Sequence, residues 1–133
     1  LAGEAATING DGKYVRDYVY GPDVARANVI ALTADLPKVQ PKTLTSLNIG
    51  TGIGTDVNEL ETSIRVHVGK TLARHGRSAT LPPPAHGPAR AGDLRSNLVD
   101  ATLAGSVLGW KPTVSLDEGI ERTAEWFAAH AAR

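Results

Sequence analysis

The stretch Thr7-Ile8-Asn9-Gly10-Asp11-Gly12-Lys13-Tyr14-Val15-Arg16-Asp17-Tyr18-Val19-Tyr20-Gly21-Pro22-Asp23 changes backbone habit three times. Asn-Gly and Asp-Gly tolerate positive φ and favour hairpin turns, so Thr7-Ile8 and residues 14–20 read as strands on either side of a turn. Alternation then puts Tyr14, Arg16, Tyr18 and Tyr20 on one strand face, opposite Val15, Asp17 and Val19. Gly21-Pro22-Asp23 opens a helix: proline suits the first helical position and an early aspartate complements the helix dipole. Strand followed directly by helix is the grammar of a mixed α/β fold.

Working outward, Val24, Ala27, Ala31 and Ala34 make a narrow apolar stripe that Ile30 broadens, and Pro37 and Pro41 close the segment. Residues 44–49 read as a strand leading into Gly50-Thr51-Gly52-Ile53-Gly54. Asp56 and Glu59 have capping-box spacing ahead of a helix carrying Leu60 and Ile64. Residues 76–92 are rich in glycine and proline and read as a loop, with a short strand at Ala79-Thr80-Leu81. Asp100 caps a short helix ending at Gly109, with Leu103, Val107 and Leu108 inward. Ser115 and Glu118 form a second capping box, for a last helix whose stripe is Leu116, Ile120, Thr123, Ala124 and Phe127. Trp110 and Trp126 read as core anchors, and His67, His75, His86 and His130 as exposed.

Two arginine-bearing stretches lie far apart, Arg16-Asp17-Tyr18-Val19 and Arg90-Ala91-Gly92-Asp93. Guanidinium suits bidentate recognition of phosphate oxygens, and two delivered from separate loops can clamp a diphosphate. The plain alternative is a pair of surface arginines bonded to Asp17 and Asp93. The glycine turn at 50–54 is no dinucleotide fingerprint: it lacks G-x-G-x-x-G spacing, and no acid lies about twenty residues on to hold a ribose.

The chain has 133 residues, 41% of them apolar, with zero net charge and no cysteine or methionine. One domain with a real core is the expectation. Disulfides and thiolate metal sites are excluded, and a cytoplasmic location is compatible with that. No apolar run is long enough to span a membrane. From Arg65 to Arg95 six basic residues face one acid, Asp93, which favours an anionic ligand. That segment has no aromatic residue, so a base-stacking nucleic-acid surface is not expected.

The motifs Arg16-Asp17-Tyr18-Val19-Tyr20, Asp23-Val24-Ala25-Arg26-Ala27, Asn48-Ile49-Gly50-Thr51-Gly52, Val57-Asn58-Glu59-Leu60, Arg90-Ala91-Gly92-Asp93-Leu94-Arg95 and Leu108-Gly109-Trp110-Lys111-Pro112 follow in order. As an ordered set they resemble the C-terminal half of the extended short-chain dehydrogenase/reductase family, its NAD-dependent nucleotide-sugar epimerases and dehydratases. The branch most similar is that of the UDP-glucose 4-epimerases. The resemblance implies an α/β fold: residues 1–133 form the substrate-binding part of a Rossmann-type enzyme, with a late Rossmann strand and helix and the N-terminal half absent. It implies that Arg16 and Arg90 reach the phosphates of a UDP-sugar and that Asp93 bonds the nucleotide ribose. Asn97 stands beside them where the family often has an aromatic residue. The catalytic Tyr-x-x-x-Lys pair and the NAD fingerprint are not in this chain, so no catalytic residue is assigned and NAD is expected to bind only the full-length enzyme, a homodimer. UDP-glucuronate decarboxylase, sugar-nucleotide dehydratase and a noncatalytic nucleotide-sugar-binding module stay open as alternatives.

Overall fold

The computed structural model describes residues 4–36, 45–77 and 80–130. Strands β1 (Thr7–Asn9) and β2 (Val15–Asp17) form on either side of the glycine turn, yet they do not pair. The expected hairpin is replaced by two small sheets. In one, β1 runs parallel to β4 (Ala85–Gly87). In the other, β2 lies between antiparallel β3 (Gly54–Asp56) and parallel β5 (Ser96–Asn97).

The turn explains the difference. Gly10 and Gly12 do take positive φ, 66° and 70°, but the backbone they release is used elsewhere. The Gly12 carbonyl accepts from the amides of Val57 and Asn58, and the Gly10 amide donates to Gly87. A helix N-terminus has unsatisfied amides to offer, so the turn docks on the helix that starts at Val57 instead of closing a hairpin.

Helix α1 (Gly21–Thr33) starts where Gly21-Pro22 predicts. Helix α2 (Val57–Arg74) has the full capping box: the Glu59 amide donates to Asp56 at 2.8 Å, and the Asp56 amide donates to the Glu59 carboxylate at 3.2 Å. It runs through Gly69 without a break. We expect Asp56→Ala to cost about 0.5–2 kcal/mol; an unchanged urea midpoint would remove the cap from the account. Helix α3 (Thr102–Leu108) ends on Gly109 at φ 64°, and α4 (Leu116–His130) follows. The second box is half made: Ser115 Oγ accepts from the Glu118 amide, while the Glu118 carboxylate pairs with Arg122.

The core gathers around Trp110, which is 1% exposed and packs with Ala27 and Ala104. Its indole N–H donates to the Asp23 carbonyl at 2.9 Å. Trp126 is no core anchor. It is exposed and stacks on the His130 ring, because Ala124 and Ala128 take the buried line of α4. In α3 the inward line is Ala104 and Leu108, and Leu103 and Val107 are exposed. Ala31 likewise faces out on α1, with Val29 and Leu32.

Residues 45–49 carry no strand ladder. Leu47 and Ile49 pack on the Trp110 cluster, but no described strand lies alongside to supply hydrogen-bonding partners. Leu44 lies outside the described residues, as does Ala79 of the expected strand at 79–81. Thr80 and Leu81 are not in a strand, and β4 forms beyond the prolines. Among the described residues no helix is long and apolar enough to cross a membrane.

Candidate functional site

Arg16 sits on the middle strand of the second sheet, so its backbone is paired on both edges. Its guanidinium donates to the Val15 carbonyl at 2.8 Å, to the Leu94 carbonyl at 2.7 Å, and to Asp93 Oδ1 at 2.5 Å. A guanidinium carries five N–H donors, so donors remain for an incoming anion. Asn97 lies opposite Arg16 in the parallel register of β2 and β5. Residues 77–81 positions apart in sequence, Asp93 and Asn97, are thereby gathered around Arg16. Arg90 begins the same turn: its carbonyl accepts from the Asp93 amide at 3.4 Å. Its side chain is exposed and makes no ion pair among the described residues.

The alternative pairing of Arg16 with Asp17 is not formed. Asp17 faces the glycine turn and accepts from the Thr51 amide, the Thr51 hydroxyl and the Gly52 amide at 2.8, 2.6 and 2.9 Å. Burial pushes its carboxyl up, but those bonds and one from the Val99 amide outweigh it and hold the group below its ordinary value. The turn at 50–52 thus binds a carboxylate of the chain itself. A Cβ on Gly50 would lie 2.6 Å from Asp17 Oδ2 and almost inside the Val99 side chain, so the close approach requires glycine.

A second clasp flanks the site. Arg95 donates to both Asp11 oxygens, at 2.8 and 2.7 Å, and lies 5.0 Å above the Tyr14 ring. The Arg95 bonds, helped by the Lys13 amide, hold the Asp11 carboxyl down to about 2. This clasp ties the first glycine turn to the loop that carries Arg90 and Asp93.

Two groups escaped the sequence reading. Asp23, read only as a dipole partner, is buried and accepts from Arg26, the Thr113 hydroxyl and the Thr113 and Val114 amides. Apart from Arg26, its partners lie 90 and 91 residues away, where no local pattern points to them. His67 is buried, not exposed, and its Nε2 meets Asp117 at 2.7 Å. The spacing that places it inward, in line with Ile64 and Thr71 on α2, was available as a periodicity signal. Among the described residues no group of three or more His, Asp or Glu is placed to hold a metal.

Residues 1–123 match a family model described as GDP-mannose 4,6 dehydratase. The chain belongs to that family. A UDP-glucose 4-epimerase of Mycolicibacterium smegmatis is 42% identical over 127 residues, which are 96% of this chain and 36% of that protein. A protein named putative UDP-glucose 4-epimerase from Methanocaldococcus jannaschii is 37% identical, covering 95% and 35%. The crystal structure of Thermotoga maritima UDP-glucose 4-epimerase with UDP-glucose superimposes with a TM-score of 0.76 at 40% identity, over 97% of this chain and 36% of that one. MoeE5 in complex with UDP-glucose and NAD gives 0.74 at 34% identity, over 98% and 39%. The chain therefore spans about a third of the length of the relatives it matches. As a member of the GDP-mannose 4,6-dehydratase family it has the mixed α/β fold of the C-terminal portion of these Rossmann-type epimerases, as its motifs imply.

Proposed function

We propose that this chain is the substrate-side portion of an NAD-dependent nucleotide-sugar 4-epimerase, one that interconverts UDP-glucose and UDP-galactose. The observation that supports this most is the convergence of Arg16 and Asn97 on adjacent strands with Asp93 on the loop leading into the second of them, and with Arg90 on the turn before Asp93. Arg16 and Arg90 take the two phosphates of the UDP group, and Asp93 accepts from a ribose hydroxyl. A charge-assisted contact from a planar fork suits phosphate oxygens. Asp93 holds the Arg16 fork in place before the ligand arrives, and preorganisation of this kind lowers the ordering cost of binding.

The chain's own residues do not fit NAD. The glycine turn at 50–52 spends its donors on Asp17, and none of Tyr14, Tyr18 or Tyr20 has a lysine four residues on. In this reading the cofactor and the proton-transfer pair belong to the N-terminal portion of a cytoplasmic, homodimeric enzyme, and this chain's task is to recognise and orient the nucleotide.

The test joins the chain to an epimerase N-terminal portion and assays UDP-galactose, UDP-glucuronate and dTDP-glucose in parallel. Conversion of UDP-galactose to UDP-glucose is the expected outcome, with neither turnover nor saturable NAD binding by the 133-residue chain alone. Turnover by the chain alone would sink the division of labour. A decarboxylated or dehydrated product in place of the epimer would move the chain to another branch of the family.

A further inference from the structure

Helices α2 and α4 touch along a polar seam and turn their apolar stripes toward a shared groove. The seam consists of His67 with Asp117, Thr71 with Glu125, and Arg74 with Glu121. The groove, about 580 Å³, is lined by Leu60, Ile64 and Val68 of α2 and by Leu116, Ile120 and Phe127 of α4. Tyr18 and Tyr20, which follow Arg16 along the chain, supply its third wall. Ile64 and Phe127 stay 42% and 52% exposed. On each helix the lining residues recur at the spacing of one face. Two packed helices offering adjacent apolar faces form the receptor into which the ridges of a third helix fit.

We propose that this groove seats an amphipathic helix from the part of the protein that precedes Leu1. The length of chain outside the structure argues for that occupant. The relatives superimpose on 97% of this chain yet are covered over only 36% of their own length, and the matched region is their C-terminal portion. The polypeptide available to cover α2 and α4 in such a protein is thus mostly N-terminal to the match. Because Tyr18 and Tyr20 line the groove, the incoming helix also packs against the segment leaving β2, next to Arg16. The proposal rests on the chain being part of a longer protein and not on the identity of the sugar nucleotide.

The chain has no cysteine, so Ile64→Cys and Phe127→Cys each create a single reporter. Their thiol-labelling rates are compared in the 133-residue chain and in a longer chain. In the longer chain the N-terminal portion of the Mycolicibacterium smegmatis relative, its cysteines replaced by serine, precedes Leu1. No UDP-sugar is present, so the outcome is independent of the substrate reading. Both positions should label at least about tenfold more slowly in the longer chain, as burial under a packed helix requires local opening before reaction. Val66→Cys, on the other side of α2, should label equally fast in both. Equal rates at positions 64 and 127 in the two chains would overturn the proposal. Slowing that grows with the concentration of the 133-residue chain would overturn it too, by assigning the groove to a second copy. Should the substituted chains fold poorly, hydrogen exchange on the unsubstituted pair decides: slower exchange over 60–68 and 116–127 in the longer chain supports the seat, and unchanged exchange rejects it.

Discussion

Replacing Asp23 with alanine is expected to cost about 3–5 kcal/mol, because removing one partner of a buried charged network leaves the others uncompensated. The orphaned groups are the amides of Thr113 and Val114, the Thr113 hydroxyl and the Arg26 guanidinium. Since the Asp23 carbonyl also receives the Trp110 indole, the loss reaches the core and should show as a lower urea midpoint. The pH dependence separates charge from shape. Burial pushes the Asp23 carboxyl up, but the bonds from Arg26, Thr113 and Val114 prevail and hold it well below the usual carboxylate range. A group depressed on folding adds stability that is complete above its unfolded value, about 3.9, and drains as the pH falls toward the folded value. The stability gap between wild type and Asp23→Asn should therefore narrow from pH 7 to pH 3. A gap that holds constant or widens would mean that the carboxylate charge contributes nothing.

In an enzyme carrying the N-terminal portion, Arg16→Ala and Arg90→Ala should each weaken UDP binding about 10- to 150-fold, the equivalent of one charge-assisted bond at about 1.5–3 kcal/mol. The two residues are not equivalent, however. Loss of Arg16 also strips Asp93 of its partner and leaves a bare carboxylate beside the diphosphate, so Arg16→Ala should be the more damaging. The double variant should lose less than the two single losses combined, since both side chains address one ligand group. Calorimetric titration with UDP measures all three. Unchanged affinity in either single variant would take that arginine out of the site.

Features that depend on a few neighbouring residues were legible in the sequence. The α1 start at Gly21-Pro22, the Asp56–Glu59 box and the Gly109 terminus each rest on local backbone chemistry and stand as read. Strand partners were not legible, because the glycine turn leaves open what its freed carbonyls will meet. Gly12 found α2, and β1 found a strand near residue 86. Short helices failed in phase: seven residues of α3 admit two inward lines, and packing against Trp110 selected Ala104 over Leu103. The proposed ligand contacts Arg16, Arg90, Asp93 and Asn97 were readable only as an ordered motif set. The mutual contact of Arg16 and Asp93 is what the fold adds.

If both arginines bind the diphosphate as proposed, placing Arg16 on a strand with neighbours on both edges divides the entropy of binding unequally between them. Arg16 is immobilised when the chain folds, by its ladder and by its bonds to Leu94 and Asp93. Arg90, exposed on its turn, keeps rotamer freedom worth about 2 kcal/mol until an anion arrives. In the proposed site, one side chain would supply a fixed landmark that sets where the nucleotide comes to rest; the other would supply a free arm whose closure is deducted from the affinity at the moment of capture.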